Sequence, residues 1–170
     1  AIAGQRDPRF DVYTLTGDGE LQEGPVWESI MFAGFKRLEN LCVLVDHNGG
    51  QLDNPARLHF PYHDLPGAFA SFGWRVLDVD ATRMHTVHEA LTEFKNGGRD
   101  GRPTAIICRS TKGHGGFSSF TNSHKATIAG DLLDQEVNLQ TIQRSARVEE
   151  FCRQFNRLAQ EDVDANVAEA

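Results

Sequence analysis

A parallel α/β sheet with helices on both faces is the fold this sequence predicts, and three observations predict it. Short apolar runs at 12–16, 41–45 and 104–108 alternate with stretches of helical period. The run Leu41–Val45 is apolar throughout, as a parallel strand covered on both faces is. Strands that alternate with helices pair through right-handed βαβ crossovers, with their helices on the sheet faces.

In chain order, Val12–Thr16 is the first strand, running directly into Gly17-Asp18-Gly19, a tight connection. A helix follows from about Pro25, since proline suits a first helical position. Trp27, Ile30, Met31, Gly34, Phe35 and Leu38 keep one apolar stripe at helical spacing and predict a buried face. After the strand at Leu41–Val45, residues 46–57 are polar and rich in Gly and Asn, hence a loop. A short helix over 64–72 is expected to stop at Gly73. Residues 74–79 read as a strand, 85–95 as an amphipathic helix, and Asn96-Gly97-Gly98 as its stop. Thr104–Cys108 leads into the glycine-rich loop Thr111-Lys112-Gly113-His114-Gly115-Gly116. From Asp131 to about Gln160 the pattern is helical, with Leu132, Leu133, Val137, Ile142, Val148, Phe151 and Phe155 the expected buried positions. The last ten residues are expected to fray. The expected division is an α/β domain over 1–130 and a helical extension with a tail over 131–170.

Composition narrows the function. Hydrophobic residues make up 39% and charged residues 24% of 170, which is ordinary for a globular chain. The net charge of −7 and the lack of a Lys/Arg run argue against nucleic acid. No apolar run is long enough to span a bilayer. Cys42, Cys108 and Cys152 are widely spaced, and two of them lie in strand-like runs. Buried reduced thiols in a cytosolic (cytoplasmic) protein fit that usage. The chain opens with Ala-Ile-Ala-Gly and no initiator Met, like the end of a helix already under way, so a preceding segment is expected.

The chemistry concentrates at two strand ends. Ligands of such sheets bind at the carboxyl edge, and Asp18 and Asn48 both sit just past a predicted strand. They are thirty positions apart, the length of one βαβ unit. A carboxylate and an amide oxygen converging there are hard donors suited to Mg²⁺ and, through it, to diphosphate oxygens. Gly17 and Gly19 let the backbone approach an anion closely, and the helix opening near Pro25 adds its positive end. No GxGxxG follows the first strand, and no GxxxxGK[ST] occurs, which disfavours nicotinamide and P-loop sites. His47, His59 and His63 with Asp53 and Asp64 match no metal-ligand spacing. Lys112 and His114 lie in a glycine loop where solvent exposure is the expected state.

The pattern GDG followed after about thirty residues by Asn is that of thiamine-diphosphate enzymes. The string from Gly17 to Glu28, GDGELQEGPVWE, resembles its transketolase version, as do Val45–Asp53 (VDHNGGQLD), Phe72-Gly73-Trp74 and Ser110-Thr111-Lys112-Gly113. The resemblance runs from residue 1 to about residue 128; the long C-terminal helix matches no family motif. It implies a thiamin-diphosphate-binding fold, with Asp18, Asn48 and the carbonyl of Gly50 as Mg²⁺ ligands. It implies a cofactor-binding set of Gly17, Gly19, Glu20, Asn48 and His124, with the Gly19 N–H on the diphosphate. His124 falls where the family places a catalytic histidine near diphosphate and substrate, although the usual Trp-His-Gly context is not reproduced. Glu23 resembles a carboxylate at a dimer interface.

The activity so implied is transfer of a two-carbon ketol unit from a ketose phosphate to an aldose, with thiamine diphosphate and Mg²⁺ as cofactors. The family's aminopyrimidine-activating glutamate belongs to a pyrimidine-binding domain that this sequence does not contain. The resemblance therefore implies a partner domain or subunit, a homo- or hetero-oligomer, and little activity for this chain alone. The alternatives are a 2-oxoacid dehydrogenase E1 or deoxyxylulose-phosphate-synthase-like subunit, or a non-catalytic truncated domain that only pairs with a partner.

Overall fold

The computed structural model describes residues 10–50, 64–97, 99–115 and 130–168, together with Ala3. The chain divides into two compact units, one holding a sheet and its helices, the other a long helix. Each is described by itself.

The sheet has four parallel strands: β1 (Val12–Gly17), β2 (Leu41–His47), β3 (Arg75–Asp80) and β4 (Thr104–Arg109). Their order across the sheet is β1-β2-β4-β3. Thr104–Cys108 is buried throughout, as a central strand must be. Alternate residues feed two cores. Val43, Val45, Ala105 and Ile107 meet α1 (Gly24–Phe35) and α2 (Leu65–Ser71) on one face through Ile30, Ala33, Leu65 and Phe69. Cys42, Ile106 and Cys108 meet α3 (Met84–Asn96) on the other through Ala90 and Phe94. Helices thus cover both faces, as the sequence predicts.

Local chemistry sets the ends of these elements. Asp64 caps α2, its carboxylate accepting from the Gly67 N–H at 2.8 Å. Gly73, at φ +82°, ends the turn after α2 in the left-handed region that suits glycine. Gly34 is required by packing: a Cβ there would overlap the carbonyl of Phe72. Just beside it, the Trp74 indole N–H donates to the carbonyl of Ile30 at 2.9 Å and ties α1 to the start of β3.

Two expectations in the sheet unit are corrected. Within α1, Met31 is 50% and Phe35 78% exposed, while Ala33 is buried; the covered face is rotated toward Ile30, Ala33 and Leu38. Strand β2 runs on through Asp46 and His47, because both continue the parallel pairing with β4; residues 51–57 of the expected loop lie outside the described residues.

The long helix, α4 (Asp131–Ala168), also departs from expectation. It continues through most of the stretch expected to fray. Leu132, Leu133, Val137, Ile142, Val148 and Phe151 are all exposed rather than buried, at 62%, 37%, 45%, 68%, 53% and 68%. Helical period records a shared face, and a face is buried only where something packs on it. The side chain of Phe155 lies outside the described ones. Among the described residues, no helix is long and apolar enough to cross a membrane.

Candidate functional site

Register brings the two sequence-predicted loops together. Gly17 pairs with Asp46, so Asp18 and the residues after His47 leave the sheet side by side at its carboxyl edge. Asp18 is 2% exposed. Its backbone N–H donates to the Asp46 carbonyl at 3.2 Å, and its carboxylate accepts from the Gly49 N–H at 3.0 Å. Gly49 turns at φ +72°, which brings its N–H back onto Asp18.

Asn48 is held at three points. Its Nδ2 donates to Asp46 at 2.9 Å, its Oδ1 accepts from the Gly50 N–H at 2.9 Å, and its backbone carbonyl accepts from the Lys112 N–H at 3.0 Å. A donor to a carboxylate on one side and an acceptor from an N–H on the other fix which amide atom is oxygen. Gly50 has no room for a Cβ because the Lys112 side chain lies on it. Lys112 is therefore half-buried beside the Asn48 loop rather than in solvent. His114 is exposed. The Asp80 carboxyl is held below its ordinary value chiefly by hydrogen bonds from Thr82.

Gly17 and Glu20 interact directly. The Glu20 carboxylate accepts from the Gly17 N–H at 3.3 Å and from the Thr16 hydroxyl at 3.1 Å, folding back on the end of β1. A Cβ on Gly17 would meet nothing within 4 Å, so open space lies against it. Gly19 caps the 3-10 turn Glu20–Gln22 at φ −68°, a conformation open to any residue. Glu23 caps α1 with its backbone, and its side chain makes no capping bond. His124, like Asp53, His59 and His63, lies outside the described residues.

Sequence reasoning missed one neighbour. His47, the last residue of β2, stands level with Asp18, its Nδ1 3.4 Å from the Asp18 carboxylate. That nitrogen is buried without a hydrogen bond, since the approach to Asp18 lacks bonding geometry. The signal lies in the pairing: a strand two residues longer, in register with β1, puts His47 beside Asp18. An apolar cavity of about 340 Å³ runs between β1 and α1, lined by Thr14, Leu15, Val26, Ile30 and Trp74 among others. Neither Asp18 nor Asn48 lines it.

The family described as transketolase, thiamine diphosphate binding domain, matches residues 6–161. Human transketolase is 39% identical over 128 residues, covering 74% of this chain and 20% of the human protein. A protein of Clostridium sp. (strain MSTE9) named 6-deoxy-6-sulfo-D-fructose transketolase subunit is 34% identical over 124 residues, covering 73% of this chain and 44% of that one. Among solved structures, transketolase from Campylobacter jejuni superposes with a TM-score of 0.68 at 25% identity, over 78% of this chain and 21% of that one. Transketolase of Pichia stipitis in complex with sedoheptulose 7-phosphate gives 0.67 at 28% identity, over 77% and 19%. The chain thus spans less than half the length of each of these relatives. It belongs to the transketolase family, as a thiamine-diphosphate-binding domain of the N-terminal type.

Proposed function

We propose that this chain holds the diphosphate and magnesium of thiamine diphosphate in a transketolase-like enzyme that moves a two-carbon ketol unit from a ketose phosphate to an aldose. One observation carries the reading: a buried carboxylate, Asp18, set against the Asn48 loop at the carboxyl edge of adjacent parallel strands.

The residues present fit the group. Asp18 and Asn48 offer one carboxylate and one amide oxygen, with the Gly50 carbonyl as the third donor. Asn48 Oδ1 accepts one N–H and keeps a second lone pair for a cation. Magnesium takes few protein oxygens and fills its octahedron with phosphate oxygens and water. The described residues contain no cluster of three His, Cys, Asp or Glu, so a zinc-type donor set is not what they offer. The open space against Gly17 admits an anion close to the backbone.

The roles proposed are these. Gly17 contributes its bare Cα, because its own N–H is taken by Glu20. Gly19 gives its N–H to the diphosphate, and the N-terminus of α1 and Lys112 add positive potential. Glu20 serves the cofactor by bracing Gly17, since a carboxylate has nothing to offer a diphosphate directly. His124 stays the proposed histidine near diphosphate and substrate. When bound, thiamine diphosphate supplies the carbanion chemistry. The chain's own part is to bind and orient.

The partner is a pyrimidine-binding domain or subunit, met through the region of Glu23, whose side chain has no capping duty. The Clostridium relative, itself named a subunit, supports a division of the enzyme between chains. The setting proposed is cytoplasmic.

Calorimetry of the chain with thiamine diphosphate and Mg²⁺, with and without a candidate pyrimidine-domain partner, tests the reading. Binding that needs Mg²⁺ and is lost in Asp18→Ala is expected; no binding in either arm defeats it and leaves the non-catalytic alternative. A coupled assay of the assembled enzyme separates the chemistries, since CO₂ release from pyruvate would point to the E1 or deoxyxylulose-phosphate-synthase reading instead.

A further inference from the structure

Asp46 is bonded to both residues proposed to hold the metal by side chain, and by different parts of itself. Its main-chain carbonyl accepts from the Asp18 N–H at 3.2 Å, and its carboxylate accepts from Asn48 Nδ2 at 2.9 Å. The residue is not on a loop. It lies in β2, paired with Gly17 of β1 on one side and with Cys108 of β4 on the other. A main chain held in two ladders gives its side chain a fixed origin. Asn48 lies past the end of β2 and is followed by two glycines.

Asn48 needs such a reference point. Its backbone is tied to Lys112, but the terminal torsion of an amide is soft, and its two ends are nearly equal in shape. Only the oxygen end can ligate a cation. A half-turn about that torsion would set the oxygen against the Asp46 carboxylate and the NH₂ against the Gly50 N–H. Two repulsive contacts would then replace two hydrogen bonds. The Gly50 N–H belongs to the same loop as Asn48, whereas Asp46 is fixed by the sheet.

We propose that Asp46 is a positioning residue for the metal site. Its carboxylate keeps Asn48 with the amide oxygen available to Mg²⁺, while its carbonyl holds Asp18 at the same strand ends. The inference rests on the reading that Asp18 and Asn48 hold Mg²⁺, and adds a residue that need not touch the ion. Outer partners of this kind set metal affinity by excluding wrong ligand orientations before the ion arrives.

Two other roles would use the same carboxylate differently. As a ligand, Asp46 would give both oxygen and charge, so Asp46→Asn would cost as much as Asp18→Asn. As a bare charge near the ion, it would lose as much in Asp46→Asn as in Asp46→Leu. Positioning needs an acceptor for Asn48 Nδ2, which Asp46→Asn keeps and Asp46→Leu removes.

Calorimetric titration of Mg²⁺ into the full chain with thiamine diphosphate present, alone and with the pyrimidine-domain partner, tests this. Asp46→Leu and Asp46→Ala, which lack the acceptor, should weaken Mg²⁺ binding about 10- to 100-fold, with Asp46→Asn within about threefold of wild type. A metal-free readout stands beside it. In NMR spectra of the isotope-labelled chain without metal or cofactor, one Asn48 side-chain N–H proton should lie downfield. It should move upfield in Asp46→Leu and Asp46→Ala but not in Asp46→Asn. The same spectra report whether each variant is folded. Equal loss of affinity in all three variants, no loss without the acceptor, or an Asn48 signal indifferent to its removal would each overturn the positioning role. A wild type that binds no Mg²⁺ while its Asn48 signal responds to Asp46→Leu would instead overturn the metal reading beneath it, and this role with it.

Discussion

Asp18 and Gly49, thirty-one positions apart in sequence, are joined by a 3.0 Å hydrogen bond from the Gly49 N–H to the Asp18 carboxylate. The bond locks the two strand-end loops into one unit. It also gives Asp18 a structural duty that can be separated from its proposed metal duty. Asp18→Asn keeps an oxygen for Gly49 and removes the charge. Its thermal midpoint without ligand should stay within a few degrees of wild type. Mg²⁺-dependent affinity for thiamine diphosphate, measured by calorimetry, should fall at least about 100-fold. Undiminished affinity would put the metal elsewhere.

Gly34 lets α1 approach the turn that follows α2. A Cβ at this position would overlap the Phe72 carbonyl, a backbone atom that cannot swing aside. Gly34→Ala should therefore destabilise the chain by roughly 2–4 kcal/mol in urea unfolding, despite alanine's better helix propensity. A gain in stability would mean that α1 and Phe72 stand further apart.

Asp64 stands in a stretch of polar residues that could be mistaken for part of a metal site, yet its carboxylate caps α2. Asp64→Ala should cost about 1 kcal/mol, the usual loss for a side-chain N-cap. Cofactor affinity should be unchanged after correction for folding, and a selective loss of metal binding would contradict the capping role.

Burial pushes the Cys42 thiol from 9.0 up to about 12, with Cys108 adding to the shift. A folded pKa above the unfolded one gives stability that is complete below about pH 9 and lost as pH rises toward about 12. At about pH 10 the loss from this group is about 1.4 kcal/mol. In Cys42→Ala, the fall in unfolding free energy between about pH 8 and about pH 10 should shrink by about that amount. An identical fall in the two proteins would mean that this thiol is ionised equally in both states.

Much of the sheet unit is legible in its sequence because the sheet imposes strong local rules. Leu41–Val45 and Thr104–Cys108 are too apolar to be anything but covered strands, and Pro25 and Gly73 mark helix limits. The pairing of Asp18 with the Asn48 loop is readable from strand ends and spacing. What is not readable is coverage. Met31 and Phe35 share a helix with Ile30, yet the alanine at 33 is the residue that faces the sheet. In α4 the apolar positions were easy to find, but sequence period does not state which face is covered or by what. His47 escaped for another reason. Its neighbour Asp18 lies across a strand boundary, and the geometry depends on a register that only the paired strands define.

The order β1-β2-β4-β3 has a consequence for how the domain is assembled during synthesis. Among the described strands, the last in chain order is the one that belongs between two earlier strands. Until Thr104–Arg109 is available, β2 and β3 have no shared neighbour, and both cores lack the residues contributed by β4. Each crossover before it moves in one direction with its helix on one face. The return from β3 to β4 moves back with α3 on the opposite face, which keeps the same hand throughout. Of the described strands, β4 is thus the one that supplies residues to both cores and joins β2 to β3.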